Sequence, residues 1–117
     1  MNKTNAKLEG VKLAALLEKI RNFAEWKKTQ DRQLDESMYA IEEMSELIAE
    51  CSAFQKSVVK QQRNGSIKDN IFDESCDVLC TLLVYLAANG MLNIDKINKQ
   101  IEFKMNRCVE RAKKGTF

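Results

Sequence analysis

Five carboxylates in this 117-residue chain recur at helical spacing. Glu43, Glu46 and Glu50 follow i, i+3, i+7, which places them within about 60° of one another on a helical wheel. They border an apolar side containing Leu47, Cys51 and Phe54, whereas Glu42 points elsewhere. Like charges at this spacing destabilise a bare helix by about 0.2–0.5 kcal/mol per pair, so stability alone does not select the cluster. Further along, Glu74 and Asp77 open a narrow polar stripe that Thr81 and Tyr85 continue, and apolar residues cover most of the remaining circumference. A buried carboxylate needs hydrogen bonds, a basic partner or a metal ion, because leaving it unpaired costs on the order of several kcal/mol. If the two segments pack antiparallel around a common core, the stripes meet and four or five oxygen donors converge. Such an all-oxygen set suits a hard cation, Mg²⁺ first and Mn²⁺ second. The competing reading is a solvated acidic face paired with lysines; the apolar wrapping expected around Glu74 and Asp77 favours the metal.

A cationic stripe complements the acidic ones. Lys104, Arg107 and Arg111 repeat the i, i+3, i+7 spacing and border Ile97, Ile101, Met105 and Cys108. It could neutralise the acidic cluster directly or hold the phosphates of a metal-bound ligand, where arginine forks and lysine point charges are suited to the task.

Four helical segments must position these residues. The first is expected from about residue 6 to 28, with Leu8, Val11, Ala15, Ile20, Phe23 and Trp26 among its apolar positions. A polar TQDRQLD connection follows, with Asp35 a plausible N-cap. The second spans about 36 to 61 and ends before the turn signal Asn64-Gly65; the third spans about 68 to 89, with Gly90 as its stop. Asn93 caps the fourth, which continues to about 114. Short links between amphipathic helices predict an all-α fold, an antiparallel four-helix bundle forming one domain over residues 1–117. The third helix is apolar almost all round, so a small bundle of this kind is expected to be oligomeric, a homodimer or homotetramer.

Composition removes most competing chemistry. There is no histidine, which excludes Ser-His-Asp and Cys-His catalysis, His-ligated zinc and the Glu-x-x-His di-iron bundle. There is no proline and only four glycines, against a turn-rich all-β fold. A net charge of +2 gives no nucleic-acid or membrane-surface signal. The longest uncharged apolar run, residues 78–88, is well short of the roughly 20 residues of a membrane span. Cys51, Cys76, Cys80 and Cys108 form no C-x-x-C pair and sit in apolar helical patterns, so they are expected as small core hydrophobes, reduced in a cytoplasmic protein.

The sequence EEMSE (Glu42 to Glu46), followed 28 positions after Glu46 by ESCDVL beginning at Glu74, resembles the E-x-x-E … E-x-x-D signature of the MazG-like all-α nucleoside triphosphate pyrophosphohydrolases. The wider superfamily includes dimeric dUTPases, dCTP pyrophosphatases and phosphoribosyl-ATP pyrophosphohydrolases, and the resemblance runs from about Phe23 to Arg111. It implies Glu43, Glu46, Glu74 and Asp77 as Mg²⁺ ligands, with Glu50 an auxiliary carboxylate. It implies Lys104 and Arg111 as phosphate contacts, to which the charge stripe adds Arg107, and Trp26 as an aromatic that stacks on the base; Trp26 could equally be a core anchor. Two departures bear on nucleotide preference: TQDRQLD stands where some dCTP-type enzymes carry an H-x-P-x-N-L-like stretch, and Cys108 stands where an asparagine is often found.

The implied reaction is metal-assisted hydrolysis of an NTP or dNTP between the α- and β-phosphates, giving the monophosphate and pyrophosphate. With no histidine, the proton acceptor would be a metal-activated water or a cluster carboxylate, Glu46 or Glu50. The alternative function is a non-catalytic helical bundle that binds a nucleotide or a protein partner.

Overall fold

The computed structural model describes residues 3–30, 36–64 and 68–115. Four helices and no strand occur among them: α1 (Lys3–Gln30), α2 (Glu36–Asn64), α3 (Lys68–Ala88) and α4 (Ile94–Lys114). The all-α, four-helix architecture is thus the one the periodicity predicts. The helix boundaries agree where local chemistry sets them. Asn93 adopts extended dihedrals and its side-chain oxygen accepts a hydrogen bond from the Lys96 backbone N–H, so α4 starts on the expected cap. At the end of α3, Gly90 takes φ +69°, its N–H reaches the Ala87 carbonyl, and the Met91 N–H reaches the Leu86 carbonyl. This pairing is a Schellman motif, which a glycine in the left-handed region closes without a Cβ penalty. The N-cap expected at Asp35 and the turn expected at Gly65 lie outside the described residues.

Helix α3 is the centre of the packed unit, with α2 on one side and α1 on another. Leu17 and Ile20 of α1, Val84 of α3 and Leu92 of the following link form the core, with Leu83, Leu86, Ala87 and Ile97 packed against it. Arg21 ties the same region together by donating to the Leu92 carbonyl at 3.1 Å. Leu17→Ala is expected to cost about 2–4 kcal/mol, since the site loses transfer energy and leaves a cavity; urea unfolding followed by circular dichroism checks this.

Two expectations fail within the single chain. Helix α3 is not buried all round, because Phe72 and Leu79 are exposed. All four cysteines are exposed free thiols, not core hydrophobes. Helix α4 likewise carries no buried residue and meets the core only near its start, through Ile97. The radius of gyration is 17.5 Å, against about 13 Å for a compact domain of this length. No described helix is long and apolar enough to cross a membrane.

Candidate functional site

Helix α2 brings Glu43, Glu46 and Glu50 along one face, spanning about 10 Å at 1.5 Å per residue. Helix α3 packs alongside and contributes Glu74 and Asp77 from its first half. The structure sorts these five carboxylates into two groups. Glu50, Glu74 and Asp77 each place a carboxylate oxygen within 4.8 Å of the others, a spacing at which one cation could be held. Glu50 and Glu74 are half-buried and Asp77 is exposed, so the apolar wrapping expected around Glu74 and Asp77 does not close over Asp77 and the cluster opens to solvent on the α3 side. No ion pair engages any of the three among the described residues.

The second group is held by a lysine. Lys27, near the end of α1, places its Nζ 2.5 Å from Glu43 Oε1 and 3.0 Å from each oxygen of Glu46. Glu43 is the one fully buried charged side chain among the described residues, at 1% exposure. Its other oxygen, Oε2, is buried with no hydrogen-bond partner. A buried acceptor left without a partner costs about 1–3 kcal/mol, so this oxygen fits a cation better than an apolar wall. Partial burial alone would lower the Lys27 pKa. Hydrogen bonds and the negative charge from Glu43 and Glu46 outweigh that effect and hold it well above the usual lysine range. A folded pKa raised above the unfolded one gives stability that is complete below the unfolded lysine value of about 10.4 and is lost as pH rises through the folded value. The Lys27 contribution to stability is therefore expected to stay flat from pH 6 to 9; a Lys27→Met variant whose stability deficit varies across that range, in urea titrations, would contradict this.

The ligand quartet expected from the sequence, Glu43, Glu46, Glu74 and Asp77, is thus divided. Glu74 and Asp77 gather with Glu50, and Glu43 and Glu46 gather around Lys27. Glu50, expected as auxiliary, sits with the α3 pair. Lys27 escaped the sequence reading altogether. Its one signal was a lysine at the end of an amphipathic helix beside Trp26, which periodicity cannot distinguish from a solvated residue.

Thr81, expected to extend the polar stripe, turns back on its own helix, donating to the Asp77 and Val78 carbonyls at 3.0 Å. Trp26 is 56% exposed, which excludes the core-anchor role in the single chain; its ring lies 6.0 Å from that of Phe23, also exposed. Lys104, Arg107 and Arg111 are exposed on α4 and form no ion pair among the described residues. Helix α4 packs along neither α2 nor α3, so one chain does not bring this cationic stripe onto the carboxylates.

Chemically, three clustered carboxylates with no basic partner among the described residues form a hard-donor set that could hold a divalent cation. Oxygen donors of this kind suit hard cations rather than soft ones. No protein-family model matches this chain, and neither a curated protein nor a solved structure matches it.

Proposed function

We propose that the chain is a Mg²⁺-dependent nucleoside triphosphate pyrophosphohydrolase, acting in the cytoplasm as a homo-oligomer. The observation that carries this reading is the convergence of Glu50, Glu74 and Asp77 within 4.8 Å with no basic partner among the described residues. The E-x-x-E … E-x-x-D spacing on α2 and α3 supports it.

Glu74 and Asp77 would hold the metal from α3, and Glu43, Glu46 and Glu50 from α2. When bound, Mg²⁺ supplies charge neutralisation at the phosphoryl oxygens and activates water for attack at the α-phosphorus. Glu46 or Glu50 accepts the proton, being the carboxylates with solvent access on the α2 face. Lys104, Arg107 and Arg111 bind the phosphates and stabilise the charge that develops on departing pyrophosphate. Trp26, exposed on α1 beside Lys27, offers a flat apolar face for the base.

The phosphate-binding step needs α4 near the carboxylates, and a second copy of the chain supplies what one chain lacks. Ile94, Ile97, Ile101, Met105 and Cys108 form one apolar stripe on α4, and Ile101 is 55% exposed. The helix carries seven basic residues against three acidic ones, complementary to the acidic face of α2 and α3. Ile101→Asp places a charge in the middle of the stripe and is expected to reduce the particle to a 13.4 kDa monomer. Light scattering after gel filtration reads this; an already monomeric wild type overturns the oligomer.

The function itself is tested by pyrophosphate release from a panel of canonical and modified NTPs and dNTPs, with Mg²⁺, Mn²⁺ or EDTA. Metal-dependent release establishes the class and names the preferred substrate. Absence of pyrophosphate from every well, with folded protein, refutes it. One observation favours the other reading, a non-catalytic bundle that binds a nucleotide or a protein: Lys27 already pairs with Glu43 and Glu46, as a structural ion pair would.

A further inference from the structure

We propose that Lys27 is a tethered cation that holds the Glu43–Glu46 half of the carboxylate face and must be displaced before a divalent ion takes it, so that the chain sets its own metal threshold. The inference rests on the metal-binding part of the reading above and not on hydrolysis.

The geometry carries it. The Lys27 ammonium lies within 3.0 Å of three of the four carboxylate oxygens of Glu43 and Glu46. A Mg²⁺ ion drawing on these two side chains takes the same oxygens, at distances of about 2.0–2.1 Å, so ammonium and dication compete for them and repel one another at close range. The fourth oxygen, Glu43 Oε2, is buried and unpaired. One ammonium also offsets only one of the two negative charges it touches.

Two features make Lys27 displaceable. Its side chain is 21% exposed and Glu46 is 45% exposed, so the ammonium has a path to water that the Glu43 carboxylate lacks. Glu46 also lies one helical turn from Glu50, which belongs to the second carboxylate group. A cation held by Glu50, Glu74 and Asp77 therefore adds positive charge about 6 Å along α2 from Glu46, by the rise of the helix, and repels the ammonium. The order of events follows: the open cluster fills first, and Lys27 leaves as the second group is engaged.

The test is a Mn²⁺ titration of the full chain, with free Mn²⁺ followed by electron paramagnetic resonance. Lys27→Met removes the charge and keeps the length, and Lys27→Arg keeps the charge as a control. If Lys27 competes, Lys27→Met should tighten apparent Mn²⁺ binding about tenfold or more, in the range by which neighbours of metal ligands shift affinity, while Lys27→Arg should not. Unchanged or weaker binding by a folded Lys27→Met overturns the inference and leaves the metal site standing. Failure of both wild type and Lys27→Met to retain Mn²⁺ overturns the inference and the metal reading together. Tighter binding by Lys27→Met with no pyrophosphate release from any substrate upholds the inference and sinks the pyrophosphohydrolase alone. Should Lys27→Met not fold, the wild-type chain gives the same answer by lysine acetylation and mass spectrometry. Acetylation of Lys27 should rise when Mg²⁺ is added, and protection that Mg²⁺ does not change overturns the inference.

Discussion

Glu74→Gln and Asp77→Asn are each expected to abolish pyrophosphate release while leaving the helical circular dichroism spectrum intact. Both substitutions keep shape and remove charge. Asp77 is exposed and Glu74 half-buried, and neither forms a side-chain hydrogen bond or ion pair among the described residues, so the fold has little to lose. The metal has much to lose, since an amide oxygen is a neutral and weaker ligand than a carboxylate. A loss of at least about 10³-fold is expected, which at 1.36 kcal/mol per tenfold is roughly 4 kcal/mol of transition-state stabilisation. Asp77→Asn is the cleaner of the two because its side chain is the more exposed. Glu43→Gln is a poorer probe: the residue is buried and paired with Lys27, so a lost activity there could report a disturbed helix contact. Turnover that persists in either α3 variant would refute the mechanism.

Metal loading is expected to produce the second large effect, on stability, with a sign that separates the two functional readings. An ion bound by the native state alone stabilises it by about 2.7 kcal/mol at a hundredfold excess over Kd. For a chain of this size that is a rise in Tm of roughly 10 °C or more. Glu74→Gln should lose this rise. In EDTA the same variant should be slightly more stable than wild type, because three carboxylates within 4.8 Å repel one another and relief of one like-charge contact is worth a few tenths, about 0.2–0.5 kcal/mol. The two melting curves should therefore exchange order when Mg²⁺ replaces EDTA. A non-catalytic bundle predicts no exchange: the variant would stay the more stable with or without Mg²⁺. Differential scanning fluorimetry of both proteins in both buffers is sufficient.

The elements of this chain were legible from sequence wherever short-range chemistry decides them. Asn93 capping α4 and Gly90 closing α3 depend on dihedral preferences and hydrogen bonds within a few residues, which the local sequence specifies. The apolar face of α4 was likewise readable, since it needs only the 3.6-residue period. The grouping of carboxylates along α2 by face followed from the same arithmetic.

What periodicity cannot state is which surface covers an apolar face, and here the single chain leaves α4, Phe72, Leu79 and the cysteines uncovered. Nor can it state which charge meets which. Lys27 and Glu43 are 16 positions apart across a helix end, and their contact depends on how α1 crosses α2. Glu50 joins Glu74 and Asp77 for the same kind of reason, through the register of α2 against α3. By itself the sequence determined the four helices and the faces on which their charges lie, because both are local properties of the backbone. Only the tertiary structure decided that the acidic face is divided, one part gathered around a lysine and the other open, because an ion pair is set by helix crossing and by burial rather than by spacing.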